Sequence, residues 1–160
     1  MIKDSGNRRA FDSGAVRDIA EGKGRCDLLP LGIIGDKLND KILKHINDFL
    51  YSNNHAYLWK ALDCFIGNDK KKWYSVLLDV SKHYEEGAKK YKDRNWEKGI
   101  DLHCYIDSGV RHYLKYLRGD TDEPHDRAFI WNILGAIWTH INLPQLNDNP
   151  GGKNEHRKQN

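Results

Sequence analysis

The chain has 160 residues, 39% of them apolar and 31% charged, which suits one soluble domain with a core of its own. A formal charge of +3 is too weak to argue for a nucleic-acid polymer as partner, no run approaches the ~18 apolar residues of a membrane span, and the opening "MIKDSGNRRAFDSG" lacks the apolar centre of a secretory signal. Cys26, Cys64 and Cys104 are odd in number and too far apart for a metal-ligand motif, so reduced thiols in the cytoplasm are expected.

Residues 1–30 are polar and glycine-rich and close with "GKGRCDLLP"; they read as an extended arm, anchored by Leu28 and Leu29 ahead of Pro30. Apolar residues then recur at helical spacing. Ile34, Leu38, Ile42, Ile46 and Leu50 step by four, with Leu43 beside them, and predict a first helix. Leu58, Leu62, Phe65 and Ile66 predict a second, and Trp73, Leu77, Val80, Tyr84, Ala88 and Tyr91 a long third. Ile106, Val110, Tyr113, Leu114 and Leu117 predict a fourth, stopped by Gly119. Ile130, Ile133, Leu134, Ile137 and Ile141 predict a fifth, begun near Pro124 with Asp122 as its cap and ended by Pro144. The tail from residue 147, "NDNPGGKNEHRKQN", is expected to be disordered. No alternating pattern is long enough for a strand, and there is no repeat. The expected fold is all-α: a bundle of about five helices over residues 31–146, which form the nucleotide-binding domain on the readings below, with an extended N-terminal arm and a disordered C-terminal tail. Bundles build ligand sites from facing helices, so the inward polar residues decide the chemistry.

The oddest segment is "EEGAKKYKDRNWEKG", residues 85–99. Glu85 precedes Lys89 by four, and Glu86 precedes Lys90 by four, the favourable order for ion pairs on a solvated helix face. Beyond them Tyr91, Arg94, Asn95 and Trp96 fall where the helix ends. Arg94 offers a planar fork for phosphate and Trp96 a stacking face for a base. The plainer alternative has Trp96 capping the core and Arg94 paired with Asp93 or Glu97. On the fourth helix Asp107 and Arg111 share a face flanking the apolar stripe. They form either an intrahelical ion pair or a ligand contact, with Asp107 as metal ligand or orienting partner, and His112 beside them is either a surface histidine or a phosphate donor.

Asp120, Asp122, Glu123 and Asp126 crowd into seven positions of the next connection. Four carboxylates so close need neutralising charge. Mg²⁺ is one source, and capping of the fifth helix accounts for one or two of the acids. His125, Ala128, Asn132, Gly135 and Ala136 follow one side of that helix. The small residues allow close helix approach, and His125 and Asn132 then either bond to the fourth helix or surround a nucleotide. Arg17, Lys23 and Arg25 make the arm locally basic, either as a solvated segment or folded over an anion. No P-loop, Ser-His-Asp elbow or Cys-x-x-Cys pair occurs.

Taken in order, "SGAVRD", "GKGRCDLLP", "EEGAKKYKDRNWEKG", "DSGVRHYLKYLRGDTDE" and "HDRAFIWNILGAIWTH" resemble the phage dATP/dGTP diphosphohydrolase N-terminal domain family. These MazZ-like proteins are related to the all-α MazG-type nucleotide pyrophosphohydrolases, and the resemblance runs from about Ser13 to about Leu146. It implies an all-α fold, usually homo-oligomeric, and Mg²⁺-dependent attack of water on the α-phosphorus of a purine (deoxy)nucleoside triphosphate, releasing pyrophosphate. Metal ions clamp phosphate oxygens in such chemistry, carboxylates hold the metals, and one carboxylate orients water. The resemblance points to Glu86 and Asp107 as catalytic and to Glu86, Asp107 and Asp126 as metal-side acids. It assigns the nucleotide to Lys90, Arg94, Asn95, Trp96, Arg111, His112, His125 and Asn132. The chain departs from the Glu-Glu-x-x-Glu block of MazG-type enzymes, because position 89 is lysine, and the Glu123–Asp126 pair stands at a helix start. Two readings therefore stay open: a pyrophosphohydrolase, or an anti-defence protein that sequesters a host immune signalling nucleotide without hydrolysing it.

Overall fold

A computed structural model describes residues 4–153 and is predominantly all-α. The first predicted helix is two helices, α1 (Leu31–Leu38) and α2 (Lys41–Ser52). The step-of-four stripe runs through the break and hides it. Asn39 turns left-handed at φ 52° and closes α1. Asp40 then accepts from the backbone N–H groups of Ile42 and Leu43 at 2.9 and 3.0 Å and opens α2, as an N-cap does. Then come α3 (Ala56–Ile66), α4 (Lys70–Tyr91), α5 (Leu102–Arg118) and α6 (His125–Asn142). Gly119, at φ 87°, ends α5. Pro124, without a side-chain cap bond, occupies the cap position of α6 that was expected for Asp122.

One apolar core joins these helices. Leu43, Ile46, Phe49, Leu58 and Leu62 meet Tyr105, Ile106 and Val110 of α5 and Phe129, Ile133 and Ile137 of α6, all buried. The α5–α6 contact is the most extensive, and Gly135 makes it possible, because a Cβ there would lie 2.4 Å from the Tyr105 ring. In α4, by contrast, only Val80 and His83 are buried, and Tyr74, Leu77 and Leu78 lie exposed. No helix among the described residues is long and apolar enough to cross a membrane.

The arm is not an extended solvated segment. Strands β1 (Arg8–Ala10) and β2 (Val16–Asp18) form an antiparallel hairpin in which Arg9 pairs with Arg17. Three residues per strand are too few to show an alternating pattern. Asn95, buried after α4, pins the hairpin like an extra strand: its Oδ1 accepts from the Val16 N–H at 2.9 Å and its Nδ2 donates to the Val16 carbonyl at 2.7 Å. The following loop is tied to α5, since Asp107 accepts from the Cys26 N–H at 2.6 Å. Residues 147–153 also depart from expectation. Asn147 and Asn149 are buried, Asp148 accepts from the backbone N–H of His103 at 3.0 Å, and Gly151 lies against the backbone of Leu50, Tyr51 and Asn53. The remainder of the predicted tail, 154–160, lies outside the described residues.

Candidate functional site

A cleft of about 870 Å³ opens between the docked arm, the C-terminal half of α4 with the turn after it, α5 and the start of α6. That volume suits a nucleotide-sized molecule. Eight lysines and arginines line it against five carboxylates, so its field favours an anion.

Arg17, from β2, is the decisive member. Its guanidinium lies 5.3 Å from the Tyr105 ring centroid and 5.4 Å from that of Trp131, and Nη2 donates to Asn132 Oδ1 at 3.0 Å. Nη1 is buried and has no hydrogen-bond partner among the described residues, and no carboxylate there pairs with Arg17. Burial pushes its pKa below the usual guanidinium value. Arginine nevertheless keeps its charge in proteins, so a cleft-lining arginine whose guanidinium is buried with one bond unmade favours an anionic oxygen as partner.

Neighbouring cations differ from it. Lys23 pairs with Asp18 at 2.9 Å, and Arg25 grips Asp27 through two bonds of 2.7 Å each. Backbone strain marks the turn after α4, where Lys92 (φ 74°, ψ 161°) and Arg94 (φ 54°) hold conformations that side chains other than glycine rarely adopt.

Seven of the eleven residues that the resemblance assigns to catalysis, metal or nucleotide line this cleft: Arg94, Asn95, Trp96, Asp107, Arg111, His112 and Asn132. Their contacts are more structural than expected. Arg94 pairs with Glu97, and Asn95 holds the hairpin. Trp96 packs edge-on against Tyr84 and Trp138 at centroid distances of 5.8 and 5.0 Å, so it caps the core while lining the cleft. Arg111 donates to the Lys23 and Gly24 carbonyls at 3.2 and 3.0 Å and to Asp107. Asp107 is buried with one oxygen on Arg111 and the other on Cys26, and acts as a clamp for the arm. Asn132 carries Arg17 and donates to the Ala128 carbonyl at 2.8 Å.

Glu86, Lys90, His125 and Asp126 are not among the lining residues. Lys90 lies 3.8 Å from Asp4, Glu85 pairs with Lys89 at 2.7 Å, and Asp126 is exposed. Among the described residues, Glu86, Asp107 and Asp126 do not come together as a three-group metal cluster. The sharing of one ion by these three is corrected accordingly, since Asp107 faces the arm and Asp126 faces solvent.

Two of the crowded acids lie beside cations of the protein, and a third faces histidines. Asp120 takes Arg118. Asp122 lies 3.6 Å from Lys115 and 2.7 Å from His125 Nε2, and Glu123 faces His112 and His125. Burial first, and then the neighbouring His125, depress the His112 pKa to about 3. Burial, with help from Arg127, lowers His83 to about 4. Both are therefore neutral rings at neutral pH. His103, which also lines the cleft, is raised to about 10 by its bond to Asp148, with Cys104 contributing.

Residues 73–149 match the family model described as dATP/dGTP diphosphohydrolase, N-terminal. The match is to part of the chain, 77 of its 160 residues, and over that span the chain is similar to that family. The matched span runs from within α4 through α6 and so includes Asn95, Asp107, Arg111, His112 and Asn132, whereas Arg17 enters from the arm outside it. No curated protein and no solved structure matches the chain. The sequence offered Arg17 only as one of three basic residues of an arm that is either solvated or folded over an anion, and did not set it apart from Lys23 and Arg25. Its one signal was a basic residue between Val16 and Asp18 in a glycine-bounded segment.

Proposed function

We propose that the cleft binds the polyphosphate of a purine (deoxy)nucleoside triphosphate and that the chain is a nucleotide diphosphohydrolase. In the reaction, the oxygen of water bonds to the α-phosphorus as the bond to the α–β bridging oxygen breaks. Pyrophosphate leaves, the nucleoside monophosphate remains, and one proton is released. The observation that carries the reading is the buried Arg17 guanidinium, which has one bond unmade at Nη1 and belongs to a residue lining a cationic cleft. A phosphate oxygen satisfies that bond and the charge together, and the family match supports the nucleotide class. Arg17, oriented by Asn132 and flanked by Tyr105 and Trp131, positions the phosphates. Arg111 holds the arm over them.

The Mg²⁺ that the resemblance implies requires oxygen donors around one point. Asp107 has both oxygens engaged, and Asp126 is exposed and outside the cleft, so that set does not fit the ion. The same observation favours a second reading, sequestration of the nucleotide without turnover. The three free thiols suit a cytoplasmic setting, and the exposed Tyr74, Leu77 and Leu78 of α4 suit association between copies.

Incubation with dATP or dGTP and a supplied divalent ion, followed by chromatography, tests the proposal. Monophosphate and pyrophosphate are expected. Stoichiometric recovery of intact bound nucleotide instead supports sequestration, and neither binding nor turnover refutes both readings.

A further inference from the structure

Three potential metal donors from three places in the chain meet at the edge of the cleft: His112 on α5, Glu123 in the connection, and His125 at the start of α6. The two Nδ1 atoms are 2.9 Å apart. Glu123 Oε1 lies 3.7 Å from His112 Nδ1 and 3.8 Å from His125 Nδ1. The other ring nitrogen of His125 is bonded to Asp122 Oδ1 at 2.7 Å. That bond places the His125 proton on Nε2 and leaves the Nδ1 lone pair facing the cluster, the outer-partner arrangement that orients metal-binding histidines.

We propose that His112, Glu123 and His125 form a binding site for a divalent transition metal ion of the zinc class. The geometry carries the claim. The point equidistant from the three atoms lies about 2.0 Å from each, which is the bond length that zinc takes to imidazole nitrogen and carboxylate oxygen. The edges of the triangle also bracket the ~3.3 Å ligand separation of a tetrahedral ion with such bonds. Two imidazoles and one carboxylate suit Zn²⁺, Co²⁺, Ni²⁺ or Cu²⁺ rather than Mg²⁺, which takes oxygen donors. Three protein donors leave a further coordination position. Because His112 and Glu123 line the cleft, a water or a phosphate oxygen held there can take it. Lys115 lies 3.6 Å from that outer carboxylate, on Asp122.

The test uses the full chain, stripped with a chelator and titrated with Co²⁺ alone, with no nucleotide present. One Co²⁺ per chain is expected, with the visible absorption bands of a nitrogen-ligated, low-coordinate ion, and added Mg²⁺ should not displace it. Glu123→Gln and His112→Gln should each abolish the bands while circular dichroism stays native. Asp122→Asn, beyond reach of the ion, should weaken uptake about 10- to 100-fold, and Asp126→Asn should leave it unchanged. Folded protein that develops no bands, bands that survive both ligand substitutions, or displacement by Mg²⁺ overturns the site. The result is separable from the nucleotide reading, because Arg17→Met should keep the Co²⁺ bands.

Discussion

Gly135→Ala places a methyl group where α6 meets the Tyr105 ring of α5. The new Cβ would lie 2.4, 2.9 and 3.0 Å from three ring atoms, against the 3.4 Å at which ordinary contact begins. The ring has nowhere easy to go: it is fully buried, with the Trp131 ring at 5.7 Å and the Arg17 guanidinium at 5.3 Å. Overpacking of this kind costs about 1–3 kcal/mol. Alanine returns about 1 kcal/mol of helix propensity relative to glycine, so a net loss of up to about 2 kcal/mol is expected. Gly87→Ala is the internal control. That glycine is also helical, on α4, but nothing lies within 4 Å of the Cβ position. It should gain about 1 kcal/mol, which raises Tm by about 2–4 °C in a domain of this size. Urea and thermal unfolding of the two variants isolate the clash. If Gly135→Ala stabilises as much as Gly87→Ala, the close α5–α6 approach, and with it the placement of Arg17 beside Tyr105, is wrong.

Three further outcomes follow from particular contacts. Asn95→Ala removes both bonds to Val16 and should cost about 1–3 kcal/mol, with amide exchange rising first in residues 8–18; unchanged protection there would mean that the hairpin docks by other means. His83 is neutral when folded down to about pH 4, whereas an unfolded histidine takes up a proton near 6.5. Stability should therefore fall as pH drops from about 6.5 to 4, by about 3 kcal/mol from this ring, and His83→Gln should flatten that window in urea titrations at stepped pH. Lys92→Gly relieves a backbone conformation that costs about 1–3 kcal/mol. It should raise the unfolding midpoint while weakening anion binding, and a lower midpoint would show that Lys92 is not strained.

The helices were legible because their stripes repeat at the helical period, and Gly119 marked a stop that the structure keeps. The break at Asn39–Asp40 was not, because the apolar spacing passes across it unchanged and only the Asn-Asp pair signals it. The arm was unreadable for a different reason. Its order comes from contacts far along the chain, such as Asn95 to Val16 and Asp107 to Cys26, and composition carries no trace of them. For the same reason the tail looked solvated although Asn147 and Asn149 are buried. Within the cleft, Arg111, His112 and Asn132 stood out as polar groups flanking apolar stripes. Whether each grips a ligand or another part of the chain depends on the docked arm. Arg17 had no periodic context to announce it.

The central claim is that Arg17 receives phosphate, and calorimetric titration of dATP into the wild-type chain and Arg17→Met tests it most directly. Loss of a charge-assisted bond worth about 1.5–3 kcal/mol should weaken Kd roughly 10- to 100-fold, with circular dichroism and the unfolding midpoint showing a folded variant. A folded Arg17→Met protein that binds dATP as tightly as wild type would contradict the account.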